Sequence, residues 1–155
     1  MRLLRGVFLP LLFWGCHHSS DTLPYPLTLS EEGMGSVHPG SSFDIALLRG
    51  KLPGFELELL SQVASAKNAP LIRLKREEKA IALLVSDPEG SVITEIIVLS
   101  PLIKNKEGIG VSDPLPDTDA IRCIRDECRY RDHPSITYRI QTDSRTVREI
   151  SLQKL

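Results

Sequence analysis

The stretch from Lys79 to Leu99 does most to limit what this chain can fold into. Residues 79–85 are an apolar run, Asp87-Pro88-Glu89-Gly90 is a turn sequence, and residues 91–99 are β-branched nearly throughout, with Val92, Ile93, Thr94, Ile96, Ile97 and Val98. β-branched side chains are stiff about χ1 and suit a pleated surface, so two such runs around a turn predict a β-hairpin. The same period of two precedes it. Phe55-Glu56-Leu57-Glu58-Leu59 alternates apolar and acidic residues, and residues 70–75 turn Ile72 and Leu74 to one side.

Shorter signals fill in the rest. Leu27-Thr28-Leu29 starts a first strand that Gly33 and Gly35 stop. Ser41-Ser42-Phe43-Asp44 predicts a helix start, a serine capping the free amides and Asp44 lying in the first turn, where the helix dipole favours negative charge. Ile45, Leu47 and Leu48 give that helix an apolar side, and Gly50 with Pro53-Gly54 ends it after about two turns. Ser100-Pro101, Gly108-Ile109-Gly110, Pro114 and Pro116 read as irregular connections. Residues 135–141 and 147–153 predict a last hairpin turning at Thr142-Asp143-Ser144. The expectation is an α+β fold: a single domain with a mostly antiparallel sheet and one or two short helices. A chain of 155 residues has room for one such core.

The N-terminus sets the compartment. Arg2 and Arg5 precede a short apolar stretch ending at Gly15, the parts of a secretory signal. As a helix it rises only ~15 Å, half the bilayer core, which argues against a permanent span. Cys16 directly after Gly15 resembles the bacterial lipobox, in which that cysteine becomes the lipidated first residue. The expected organisation is a signal peptide over 1–15, a polar, Pro-containing tether over 16–26 and one domain over 27–155. By the same resemblance His17 stands where an aspartate would retain the protein at the inner membrane. This favours an outer-membrane anchor facing the periplasm, held by acyl chains that each contribute ~0.8 kcal/mol per buried methylene.

An oxidising compartment bears on the other two cysteines. With Cys16 used for lipid, Cys123 and Cys128 remain, an even pair in a Cys-x4-Cys spacing that suits a disulfide. The rivals are a metal site adding His133, for which a fourth ligand is not in view, and free thiols.

No assembled catalytic constellation stands out. Ser36, Ser91 and Ser112 lack a Gly-x-Ser-x-Gly elbow, and His38 and His133 each precede a proline in loop-like sequence. Gly33-Met34-Gly35 with Gly40 lacks the Gly-Lys-Ser/Thr of a phosphate loop. Asp113, Asp117 and Asp119 fail the EF-hand pattern, since Thr118 falls where it needs glycine and Ile124 where it needs glutamate. No cofactor or metal is expected. A net charge of -1 gives no field to gather nucleic acid. The densest chemical feature is Arg122, Arg125, Arg129 and Arg131, four guanidinium groups within ten residues, suited to phosphate or carboxylate. Asp126, Glu127 and Asp132 in the same segment offset most of that charge, so a mixed, solvated face is the competing reading.

Several motifs in order resemble a family of small bacterial lipoproteins of unknown function, the envelope-stress (sigma-E) regulated lipoproteins. They are Gly33-Met34-Gly35, Ser42-Phe43-Asp44, Leu52-Pro53-Gly54, Ile96 through Ser100-Pro101, and Gly108-Ile109-Gly110-Val111. The likeness spans about 27–152. It implies an outer-membrane, periplasm-facing lipoprotein with an α+β fold, and it carries over no reaction. The chain departs from the pattern at Ser112-Asp113-Pro114, where a small residue would follow Val111.

The sequence thus leads to a membrane-anchored lipoprotein with a non-catalytic envelope role. Its partners would be the membrane through its lipid, and an envelope protein, peptidoglycan or lipopolysaccharide. The alternatives are a hydrolase of envelope polymers using Asp44, Asp113 or His133, and an outer-membrane assembly factor presenting an exposed apolar patch.

Overall fold

A computed structural model describes residues 23–60 and 69–154. The signal segment 1–15, the lipidation candidate Cys16 and residues 16–22 of the tether lie outside the described residues.

The chain is mostly β, which corrects the α+β expectation and the fold implied by the family resemblance. Among the described residues twelve elements follow one another, and one of them is a helix. Eight strands form a single antiparallel sheet made of two four-stranded meanders. The first comprises β3 (Glu56–Leu60), β4 (Leu71–Arg76), β5 (Lys79–Ser86) and β6 (Ile93–Val98). The second comprises β8 (Ile121–Ile124), β9 (Glu127–Tyr130), β10 (Ile136–Gln141) and β11 (Thr146–Gln153). They join through their last strands, Val98 opposite Ile150 and Ile96 opposite Leu152. A small second sheet sets β1 (Thr28–Ser30) between β2 (Gly33–Met34) and β7 (Lys104–Asn105), antiparallel to the first and parallel to the second.

Alternation in the sequence becomes two apolar rows crossing the large sheet. One runs Leu57, Leu74, Ala82, Val98, Ile150, Tyr138, Cys128 and Cys123 from strand to strand. The other runs Leu59, Ile72, Leu84, Ile96, Leu152 and Ile136. Apart from the edge residues Leu57, Leu59 and Cys123, their members are buried, and they pack with Leu29, Met34, Leu48 and Leu52 in one core. At ~25 cal/mol per Å2 of apolar surface, these rows are what hold the sheet together.

The helix, α1 (Ile45–Lys51), buries only Leu48 fully and leaves Leu47 exposed, so it lies against the core without forming a layer. That is the physical reason the α+β reading fails: two turns bring too little apolar area to make a second layer. Its cap is Asp44 itself, whose carboxylate accepts from the Ala46 and Leu47 amides at 2.7 and 3.2 Å. Ser41, the expected cap region, instead accepts from the His38 amide. Tyr138, deep in the sheet, accepts a 2.6 Å bond from the Asn105 amide group, tying the two sheets together. Burial pushes its hydroxyl up to about 12.

Candidate functional site

The arginine-bearing segment is a hairpin at one edge of the large sheet. β8 and β9 pair in the register Ile121–Tyr130, Arg122–Arg129, Cys123–Cys128 and Ile124–Glu127, with Arg125 and Asp126 forming the turn. Side chains alternate across a strand, so Arg122, Ile124, Glu127 and Arg129 share one face, and the cysteines point to the other. Cys123 and Cys128 are joined by a disulfide with Cα atoms 4.0 Å apart. Both thiols are taken up by this bridge, as the even pair predicts. Cys128 is fully buried at the end of an apolar row, so the bridge extends the core into the hairpin.

The register puts Arg122 directly opposite Arg129, a like-charge pair that is unfavourable unless an anion lies against it. Two of the three acids expected to neutralise the segment, Asp126 and Glu127, face a different arginine. Arg139 of β10 binds Glu127 at 3.1 Å and Glu149 at 3.0 Å and stands 4.0 Å from Asp126; these carboxylates hold its guanidinium above its ordinary value. Among the described residues, none of Arg122, Arg125, Arg129 and Arg131 makes an ion pair or a side-chain hydrogen bond. Arg122 and Arg129, with Ile124 and Glu127, line a shallow depression of about 340 Å3. Arg131 shares a polar hollow at the hairpin base with Arg122, beside Asp117 and Asp119. Arg125 heads the turn with φ 59°, a left-handed conformation that costs a non-glycine residue roughly 1–2 kcal/mol.

The other candidate residues do not converge. Asp44 caps α1. Asp113 pairs with Lys104 and accepts from the Gly110 amide at 2.7 Å, and the Lys104 ammonium first, then that amide, hold its carboxyl below the usual range. His133 lies where the small sheet meets β10, its Nδ1 3.1 Å from Glu31 and its Nε2 4.0 Å from Glu107, with the Tyr130 ring edge-on to it. Glu31 raises the His133 value; His133, and then the Ser135 hydroxyl at 2.9 Å, lower that of Glu31. Residues around this cluster, including Leu29, Asn105 and Ile136, line a cavity of about 20 Å3, room for one water and no substrate. Among the described residues, no group of three His, Cys, Asp or Glu side chains is arranged to hold a metal ion. An apolar groove of about 280 Å3 lies between Phe43, Ile45, Leu59 and Ile72, against the opposite edge strand β3. The sequence missed Arg139 as the residue that decides the charge of the hairpin. Only the pairing of β9 with β10 reveals it.

No known family profile matches the chain, and no curated protein is significantly similar in sequence. The chain is similar in fold to the crystal structure of the uncharacterized protein yfeY from Escherichia coli, with a TM-score of 0.65 at 15% identity. The match covers 82% of this chain and 99% of that one. The likeness is one of fold alone.

Proposed function

We infer that this is a lipid-anchored lipoprotein of the bacterial envelope, tethered through Cys16 and facing the periplasm, whose role is to bind an anionic envelope component. The observation that carries the binding reading is the Arg122–Arg129 pair, two opposed guanidinium groups without a carboxylate partner on a disulfide-stapled hairpin. A preorganised pair of this kind takes a phosphate or carboxylate bidentately with little ordering cost. The anchor rests on the signal-like N-terminus and on Cys16. It is supported by the family resemblance, whose ordered motifs run along the chain, and by a disulfide of the sort oxidising compartments sustain. A non-catalytic role fits Asp44, Asp113 and His133, each committed to a different local partner.

Two measurements test the reading separately. Intact mass of protein purified from membranes should match a triacylated chain beginning at Cys16, with Cys123 and Cys128 unreactive to alkylation until reduced. An unprocessed, unlipidated chain overturns the anchor. Titration with inorganic phosphate should shift the side-chain Nε–H resonances of Arg122 and Arg129, and equal ionic strength of chloride should not. Resonances indifferent to phosphate overturn the binding site.

A further inference from the structure

We propose that the tip of the β8–β9 hairpin docks on an anionic phospholipid surface, with Ile124 entering the interface and Arg122, Arg125 and Arg129 meeting headgroup phosphates. This deepens the anion-binding reading and rests on it.

Ile124 is 65% exposed, next to the turn and on the same face as Arg122 and Arg129. Alternation shows why this is costly: Cys128 is buried in the core with Cys123 on its side of the hairpin, so Ile124 faces the other way, outside the core. Glu127 stands opposite it in the register, Arg122 and Arg129 share its face, and Arg125 follows it in the turn. A β-branched aliphatic residue held in water among such arginines has the composition of an interfacial anchor. The aliphatic group leaves water for the acyl boundary, while the long arginine stems follow it and keep their charges among phosphates. A glycan chain would gain nothing from Ile124, whereas a lipid surface uses both halves of the patch.

Charge separation across the hairpin points the same way. Asp126 and Glu127 would repel an anionic surface, yet both face Arg139, which also holds Glu149. Arg139 thus draws both acids toward the sheet, and the hairpin, with three arginines against these two acids, keeps a net positive charge. The disulfide adjoining the turn fixes Ile124 and the arginines in one arrangement, so docking orders few side chains.

The test uses the full-length lipidated protein reconstituted into vesicles, carrying Ile124→Cys labelled with an environment-sensitive fluorophore. The expected result is a blue-shifted, brightened emission on phosphatidylcholine vesicles containing phosphatidylglycerol, and an aqueous spectrum on phosphatidylcholine alone. Each arginine near an anionic surface contributes about a fivefold factor, so Arg122→Gln, Arg125→Gln and Arg129→Gln together should lower the docked-to-free ratio about a hundredfold. The native bridge, checked by resistance to alkylation, shows that the triple variant is folded. An aqueous probe on both vesicle types, or equal immersion in both, overturns docking. So does an aqueous probe in protein that instead cosediments with peptidoglycan. Failure of the underlying reading looks different: phosphate would leave the Arg122 and Arg129 resonances unmoved, or the protein purified from membranes would carry no lipid.

Discussion

His133 and Glu31 shift each other in opposite directions, and together they define a pH window. Glu31 favours the imidazolium and raises the His133 value above 6.5, so this contribution to stability is complete below that pH and lost as pH climbs through the raised value. His133, then Ser135, lower the Glu31 value from 4.5, so the carboxylate's contribution is present above that pH and lost in acid. Their joint effect is therefore greatest between about pH 4.5 and 6.5. Both side chains are about two-fifths exposed, and solvent screens the pair. Glu31→Gln should flatten the fall in melting temperature of the wild type between about pH 6 and 8. Parallel profiles for the two proteins would show that the contact contributes nothing. Gly33 is the other residue with a sharp requirement. Its φ is 154°, and a Cβ there would sit 2.4 Å from the Val37 carbonyl oxygen, so Gly33→Ala should destabilise by more than about 1 kcal/mol in denaturant melts. An unchanged midpoint would mean the β2 turn can shift at no cost.

Among the elements, the stapled hairpin yields the clearest expectation. Its bridge closes a loop of a few residues, which the chain-entropy account values at roughly 2 kcal/mol. In Cys123→Ala/Cys128→Ala the amides of β8 and β9 should exchange with solvent well before those of β5 and β6. Uniform acceleration across the sheet would show that the bridge stabilises the whole fold rather than its edge. This hairpin is also where the sequence was hardest to read. β4, β5, β6, β10 and β11 were legible because each carries alternating or β-branched residues between turn formers. β8 and β9 carry arginines and cysteines whose alternation serves an edge, not a buried face, and β2 and β7 are two residues each. Asp44 announced a helix correctly, but a local cap says nothing about how little that helix would cover. The arginine cluster was legible and its charge balance was not, because Arg139 stands in a different strand from the acids it binds.

At the scale of the whole molecule, the junction of β6 with β11 matters most. The small sheet and the Asn105–Tyr138 bond stand against a surface that exists only once the two meanders have met. A chain ending after Arg145 would lack all of β11 and, with it, the neighbour of both β6 and β10. Such a truncation should give a collapsed chain without the far-ultraviolet signature of the complete sheet; a cooperative melt from it would show that each meander folds alone. The junction also governs timing. β11 is the last strand in chain order yet lies in the middle of the sheet, and its Gln153 side chain bonds Glu95 across 58 residues. Closing so long a loop late makes folding slow. If the chain crosses a membrane unfolded, N-terminus first, the first meander must wait with β6 as an open, strongly apolar edge until the final strand emerges. That interval, rather than the finished structure, is when this protein is most exposed to aggregation and most in need of a chaperone.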